Sequence, residues 1–400
     1  MHLVETYATS TGLKIDKPEI YDAYIPLPRS TEKYISFQPF GSSQARTYHY
    51  WDEVMSILRP VLNENGIAVA QLGTPKERKI NGPLDLRGAT SINQAAYIIK
   101  NSMLHLGVDS FGIHFASGYQ KKIVGLYSVM PPSESGPYWS DKKDVVLLEP
   151  DWEDGEKYSY SMTEDPMTIN RIRPEDIAKA VCDLLDLKLN YPYKTLYIGS
   201  EYHLNRIEVV PTNYVGNWRD LKVDSLIVRM DKHFDLNMLH KQLSTCPCSI
   251  ITNKHIDPGL IKRYKNNIVE LVFFIDEKTD PNDVAALKNC GVKLFLLTKL
   301  SEEKLNKIKL NYVDILPVYK EQGVSKKELK KYIKGKDINN LYFKNSCLII
   351  KNGGQIYNTY AESDKVKPLN RISMIDPTPV VDDPTFWEDQ RRMMILEKTS

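Results

Sequence analysis

The sequence predicts an α/β protein of two units, each built on a parallel sheet. Three observations carry this. Short apolar runs alternate with amphipathic, helix-length segments from about residue 34 to 127, and the same alternation returns from 225 to 317. Asn190-Tyr191-Pro192 breaks the chain between the two stretches. Charge divides at the same place: residues 1–190 hold 20 Lys and Arg against 25 Asp and Glu, and the remainder holds 33 against 26. An acidic half and a basic half suit two units with different partners, although solvated faces also differ by chance.

The elements follow in order. Residues 1–30 form a lead-in with a short helix and the extended piece Ile25-Pro26-Leu27-Pro28. Residues 34–41 read as a strand ending in a Pro/Gly loop. Trp51, Val54, Met55, Leu58 and Leu62 recur at helical spacing. Residues 66–72 make a short buried strand closing at Gly73-Thr74-Pro75, and Ser91 opens a helix through Ala95, Ala96, Ile98 and Ile99. Residues 103–108 are a strand that ends at Asp109-Ser110, with a small-residue turn at Gly112 and a helix start at His114. A further strand, 123–127, leads into a loop rich in Pro and Gly. Residues 131–175 read as long surface loops, and Arg173-Pro174-Glu175-Asp176 opens a helix with proline and acids in its first turn.

The second alternation has strands at 225–228, 248–252, 269–275, 293–297 and 313–317. Helices are expected at 236–243, 257–264, 280–287 and 301–308. Residues 341–351 read as one strand, Asn352-Gly353-Gly354 as a hairpin turn and 355–360 as its return. The tail, 384–397, reads as an amphipathic helix. The implied division is 1–190, 205–345 and an extension at 346–400.

Bulk properties exclude some classes. No apolar run approaches a membrane span, and the N-terminus lacks the basic start and apolar core of a signal peptide. The five cysteines form no framework, and Cys246-Pro247-Cys248 has the wrong spacing for a zinc knuckle or redox pair. Reduced thiols in the cytoplasm are expected. Asp382-Asp383 stands alone in the tail, so no metal site is predicted.

Residues 101–139 are the most informative stretch. A strand, a helix start ready for an anion, a second strand and an aromatic loop follow one another. That order suits a nucleotide or its diphosphate at the carboxyl edge of a parallel sheet.

Several pieces of this half, taken in order, resemble glycosyltransferase family 9, the ADP-heptose:lipopolysaccharide heptosyltransferases. They are Phe37-Gln38-Pro39-Phe40-Gly41-Ser42, then Arg46 with Trp51, then Gln71-Leu72-Gly73-Thr74-Pro75-Lys76-Glu77. Asp109-Ser110-Phe111-Gly112-Ile113-His114 follows, and then residues 123–127 with Gly136-Pro137-Tyr138. The resemblance covers about residues 1–190. It implies the GT-B fold, two Rossmann-like domains facing across a cleft, with the donor held mainly by the later domain. The resembling half comes first here, and its lead-in looks like the family's mid-chain linker. The second βα unit therefore fills the acceptor role in swapped order. The implied donor-site residues are Gln38, Gly41, Ser42, Arg46, Gly73, Glu77, Asp109, Ser110, Gly112, His114 and Tyr138. A nucleotide-diphosphate sugar, UDP- or ADP-linked, is the expected donor, with no cofactor.

Each of these has a plainer reading. Ser110 also fits a simple N-cap, Arg46 a surface arginine, Glu77 a helix-start acid, His114 a packed histidine, and Tyr138 with Trp139 core or lid packing. An acceptor hydroxyl needs a general base. Asp231 and His233 follow the strand at 225–228, where α/β folds place ligands, and the alternative is a polar loop. The basic stretch 326–336 fits either a polyanion or a solvated helix face. The expected activity is inverting, metal-independent sugar transfer to a glycan hydroxyl or to a hydroxymethylated base in viral DNA. A non-catalytic nucleotide- or sugar-binding protein is the alternative.

Overall fold

The computed structural model describes residues 1–28, 31–212, 215–216, 223–320, 331–351, 354–360, 377–380 and 386–399. The chain divides into two compact units, Met1–Tyr193 and Lys194–Ser400.

In the first unit the lead-in helix is α1, Leu3–Thr11. The strands are β1 (Tyr34–Gln38), β2 (Ala68–Gln71), β3 (Leu84–Asp85), β4 (Leu104–Val108), β5 (Lys122–Leu126) and β6 (Val145–Leu148). They form one sheet in the order β3-β2-β1-β4-β5-β6, and every pair is parallel. This is the doubly wound order, which runs one way from β1 to β3 and the other way from β4 to β6. The helices are α2 (Trp51–Glu64), α3 (Ile92–Asn101), α4 (Phe111–Gly118), α5 (Pro132–Ser135) and α6 (Pro174–Leu184). Helix α2 packs on α6, and α3 packs on α4. One face of the sheet buries Tyr34, Ala70, Leu72, Ile98 and Ile113. Between β1 and α2, Phe37 meets the edge of Trp51, whose indole N–H donates to Pro39 O at 2.8 Å. Ser91 and Gln94 cap α3 reciprocally, which is why that helix starts where the sequence says.

His105 lies fully buried in β4, with Ser36 Oγ 3.0 Å from its Nδ1. Burial lowers its pKa to about 3, so the folded protein holds it neutral. A folded value below the unfolded value of about 6.5 contributes stability above pH 6.5 that is lost as pH falls toward 3. Between pH 7.5 and pH 5 the loss from this residue should reach about 2 kcal/mol. Denaturant melts of the wild type and H105N at both pH values measure it, and an equal pH dependence in the two would refute it.

The second unit has β7 (Tyr193–Ile198), β8 (Arg206–Val209), β9 (Ser225–Arg229), β10 (Cys248–Thr252), β11 (Ile268–Ile275), β12 (Leu294–Thr298) and β13 (Val318–Lys320). Then come β14 (Leu341–Asn345), β15 (Cys347–Lys351), β16 (Gln355–Tyr357), β17 (Thr378–Pro379) and β18 (Met393–Lys398). Its helices are α7 (Leu236–Thr245), α8 (Pro258–Arg263), α9 (Pro281–Lys288) and α10 (Glu302–Ile308). The larger sheet runs β13-β12-β11-β10-β9-β8-β15-β16, parallel except for the β15–β16 hairpin. Its register lines up Ile350, Val209, Val228, Ile250, Leu271 and Leu294 as a buried apolar row. A smaller sheet has the order β17-β14-β18-β7.

Several sequence expectations are corrected. The tail is not an amphipathic helix: a 3-10 turn at Phe386–Arg392 leads into β18. Met393, Met394, Ile395 and Leu396 are all buried, as an inner strand between β14 and β7 requires, and no helix has that burial pattern. Residues 341–351 are two strands broken at Ser346, one in each sheet. The described residues beyond 345 thus contribute strands to both sheets, β15 and β16 to the larger and β17 and β18 to the smaller. The last parallel strand lies at Val318–Lys320, after the expected 313–317. The loop 131–175 contains β6, and β7 and β8 have no counterpart in the sequence reading. Helix α4 begins at Phe111, three residues before the expected start. The hairpin-turn residues 352–353, the pair Asp382-Asp383 and residues 326–330 of the basic stretch lie outside the described residues.

Candidate functional site

The order of the first sheet reverses between β1 and β4. Doubly wound sheets hold ligands outside the carboxyl ends of the strands at such a point. Apart from Tyr138, the predicted residues of the first unit stand at strand ends: Gln38 closes β1 and Gly41, Ser42 and Arg46 follow it, Gly73 and Glu77 follow β2, and Asp109 to His114 follow β4.

Gln38, at the end of β1, braces the turn between β4 and α4. Its Nε2 donates to Ser110 Oγ at 2.9 Å, and its Oε1 accepts from Gly112 N at 3.1 Å. Both ends of this amide are used internally, so Gln38 positions the helix start. Gly112 is required by close approach. A Cβ there would lie 2.4 Å from Gln38 Oε1 and 2.6 Å from His105 Nε2.

Asp109 is buried beside Arg46. Arg46 Nη1 donates to Asp109 O at 3.0 Å and stands 3.8 Å from Asp109 Oδ2, while Ser135 Oγ donates to Oδ2 at 3.3 Å. Burial raises the pKa of Asp109, and Arg46, His114 and Ser135 oppose that rise. Burial lowers the pKa of His114, and the neighbouring Asp109 opposes that fall. The Arg46 side chain is 23% exposed, while its Nε is buried without a partner.

Glu77 folds back over the end of β2. Thr74 Oγ1 donates to its Oε1 at 3.1 Å, and Oε2 is buried without a partner. Gly73 has φ +147°, and a Cβ there would lie 2.1 Å from Glu77 Oε2. An acid near the β2 end of a doubly wound sheet is well placed for ribose hydroxyls.

More buried polar atoms without partners gather on the adjacent strand ends: Ser43 Oγ and Arg46 Nε after β1, and the Tyr127 hydroxyl and Ser128 Oγ after β5. Burial pushes the pKa of Tyr127 up, and the nearby Asp109 adds to this. Each such atom costs about 1–3 kcal/mol when left unsatisfied. Sequence reading missed Ser43, Tyr127, Ser128 and Ser135. Their only signal is position within a few residues of a strand or helix end.

Other predicted residues do different work. Ser42 is exposed, and Gly41 makes ordinary contact with Arg46 and Val108. Tyr138 packs at a tilt against His2, with ring centroids 4.8 Å apart, and its hydroxyl donates to Glu5 at 3.4 Å. It ties down α1. His2 Nε2 also donates to Gly136 O at 3.0 Å.

In the second unit Asp231 and His233 stand at the carboxyl end of β9. Both Asp231 oxygens accept from Arg229, each at 2.8 Å, and His233 is exposed. Arg229 also meets Glu208, which is fully buried and bonded by Arg392 and the Tyr360 hydroxyl.

The first unit is therefore a doubly wound α/β domain with a polar edge at its switch point. Residues 4–164 match the model of glycosyltransferase family 9 (heptosyltransferase). Solved structures similar to the chain include the ADP-heptose lipopolysaccharide heptosyltransferase II of E. coli. It shares 19% identity over 45% of this chain and 50% of that one, with a TM-score of 0.30. A family 9 glycosyltransferase from Veillonella parvula shares 17% over 45% and 50%, with a TM-score of 0.31. The iron-containing dodecameric glycosyltransferase TibC of enterotoxigenic E. coli shares 12% over 46% and 53%, with a TM-score of 0.36. The chain spans about half the length of these structures. No curated protein matches it. No helix among the described residues is long and apolar enough to cross a membrane, and no group of three metal-ligating side chains occurs among them.

Proposed function

We propose that the chain moves a sugar from a nucleotide-diphosphate sugar, UDP- or ADP-linked, to an acceptor hydroxyl, with inversion. The cluster of buried polar atoms without partners around Asp109 and Arg46, inside the segment that matches family 9, carries this reading. The acceptor oxygen attacks the anomeric carbon, the bond from that carbon to the β-phosphate oxygen breaks, and the diphosphate leaves with the electron pair. Arg46 and the positive end of α4 stabilise the charge that develops there, so the chain's own residues serve the leaving group. Glu77 accepts from ribose hydroxyls through the carboxylate oxygen that has no partner within the protein. The acceptor proton goes to a general base. The acceptor is a glycan or a hydroxymethylated DNA base. The five free, buried thiols fit a reducing, cytoplasmic setting.

Thermal shift with ADP, UDP and GDP tests the donor site. One of them at about a hundredfold its Kd should stabilise the first unit by about 3 kcal/mol. R46A should lose most of that gain. R46K should recover only part, since an ammonium cannot grip a diphosphate with two parallel bonds. If none of the nucleotides raises the melting temperature, the donor reading fails. Nucleotide binding without turnover on any acceptor would support the non-catalytic alternative. D231N with undiminished turnover would exclude the base role that the sequence expects of Asp231.

A further inference from the structure

The positive charge of the second unit gathers on one edge of its larger sheet. Strands β9 to β13 are adjacent and parallel, so every turn from a helix into the next strand lies on their amino edge. Three such turns, counted from the last four residues of the helix, carry almost nothing but bases. Residues 260–267, from α8 into β11, hold Lys262, Arg263 and Lys265 and no acid. Residues 285–293, from α9 into β12, hold Lys288 and Lys293 and no acid. Residues 305–317, from α10 into β13, hold Lys307 and Lys309 against Asp314. All seven bases are exposed. Among the described residues only Lys293 and Lys307 of this group enter an ion pair, with Glu270 and Glu303. Asn266, Asn289 and Asn311 add one exposed amide to each turn.

Two comparisons within the chain set this band apart. The carboxyl edge of the same strands is acidic: the loops 230–235, 253–257, 276–280 and 299–301 hold four lysines against six acids. A base near a helix C-terminus also complements the helix dipole. The first unit has the same dipoles, yet its turns 61–67, 98–103 and 115–121 hold only Lys100 and Lys121 against Glu64, and Lys100 pairs with Asp22. Lys265, Lys293 and Lys309 moreover stand beyond the ends of their helices.

We infer that this amino edge is a docking surface for the phosphate backbone of a nucleic acid. Adjacent strands lie about 4.8 Å apart, so the three turns stand side by side. A backbone that crosses them meets a cation and an amide donor at each, which is a donor set that holds phosphates without reading bases. Stable docking on anionic lipid needs buried apolar side chains as well as charge. The turns into β11 and β12 expose no large apolar side chain, Val269 lies within β11, and Leu310 and Val313 stand at the β13 end alone. The surface is at the opposite end of the strands from Asp231 and His233, so it holds the polymer and does no chemistry on it. It is independent of sugar transfer.

The test follows the fluorescence anisotropy of an end-labelled, mixed-sequence duplex DNA titrated with the full chain over a range of salt concentrations. Affinity should fall steeply with salt, with a log–log slope of about −0.9 for each phosphate held. K262A/R263A/K265A and, separately, K288A/K309A should each weaken binding by roughly tenfold or more and flatten the slope by about one for each base removed. Both sets change exposed side chains and should keep the wild-type melting temperature. K232A/K254A, on the carboxyl edge, should bind DNA as the wild type does. Binding without salt dependence, no binding, indifference to both amino-edge variants, or an equal loss in K232A/K254A would overturn the inference. So would a preference for phosphatidylserine vesicles or heparin over DNA. The titration contains no nucleotide, so failure of the donor reading shows only in the thermal shift and failure of this inference only in the anisotropy.

Discussion

Gly112→Ala should cost about 3 kcal/mol of stability in the first unit and abolish most nucleotide binding. The added methyl would meet Gln38 Oε1 at 2.4 Å and two atoms of the buried His105 ring at 2.6 and 2.8 Å. None of these neighbours is a loose side-chain end. Gln38 is held at both ends of its amide, and His105 is packed within β4. The helix start must move outward, and with it Ser110 and the positive end of α4. The bond from Gly112 N to Gln38 is lost as well. The nucleotide-induced thermal shift should therefore vanish even where the variant remains folded. Q38A removes one clash partner, so G112A/Q38A should be less destabilised than the sum of its two single changes. His105 still blocks the methyl, so recovery should be incomplete. A G112A protein with wild-type melting and nucleotide response would show that the turn is not close-packed in solution.

Glu208→Gln should destabilise the second unit by about 3–5 kcal/mol, which corresponds to a fall in Tm on the order of 10 °C. Glu208 is fully buried in β8, where Arg229, Arg392 and the Tyr360 hydroxyl all meet its carboxylate. Burial alone would raise its pKa, but Arg392 and Arg229 bring it down to about 2. Removing the charge leaves two guanidiniums facing each other with their shared counter-ion gone, and Asp231 offsets only one of them. A folded pKa below the unfolded one contributes stability above about pH 4.5 that is lost as pH falls toward 2. The wild type should lose about 3 kcal/mol over that window through this residue, and E208Q should not show that part of the loss. Calorimetry of both proteins across the acid range decides the matter. Equal melting temperatures at pH 7 would mean that the buried pair contributes nothing net.

The two cases differ in how far they can be read from sequence. Gly112 stands in a visible pattern: a strand, Asp109-Ser110, then a small residue at a helix start. Its need for the missing Cβ depends on Gln38 and His105, which come from two other strand positions. Glu208 and Arg392 lie 184 positions apart and reach each other only because β18 enters one sheet while β15 pairs with β8 in the other. The tail was misread as a helix because Phe386, Trp387, Met393, Ile395 and Leu396 fit helical spacing as well as they fit an inner strand. A short apolar run cannot separate the two by periodicity alone. The strands β6 and β7 carry no mark in the sequence, because β6 lies within a stretch rich in Pro, Gly, Ser and acids and no helix-length segment follows β7 to make it part of a βα repeat.

By itself the sequence determined the two α/β units, nearly every helix of the βα repeats, and the positions of Arg46, Glu77 and Asp109 at strand ends. These follow from local rules: apolar period, capping residues, and the habit of glycine and acids at turns. Tertiary structure alone decided which strand ends become neighbours. It placed the switch point between β1 and β4, used up both ends of Gln38 as a brace, turned Tyr138 toward α1, and left Ser43, Tyr127 and Ser128 buried without partners. The physical reason is that hydrogen-bond satisfaction and burial depend on sheet order, which brings together residues that no periodicity along the chain connects.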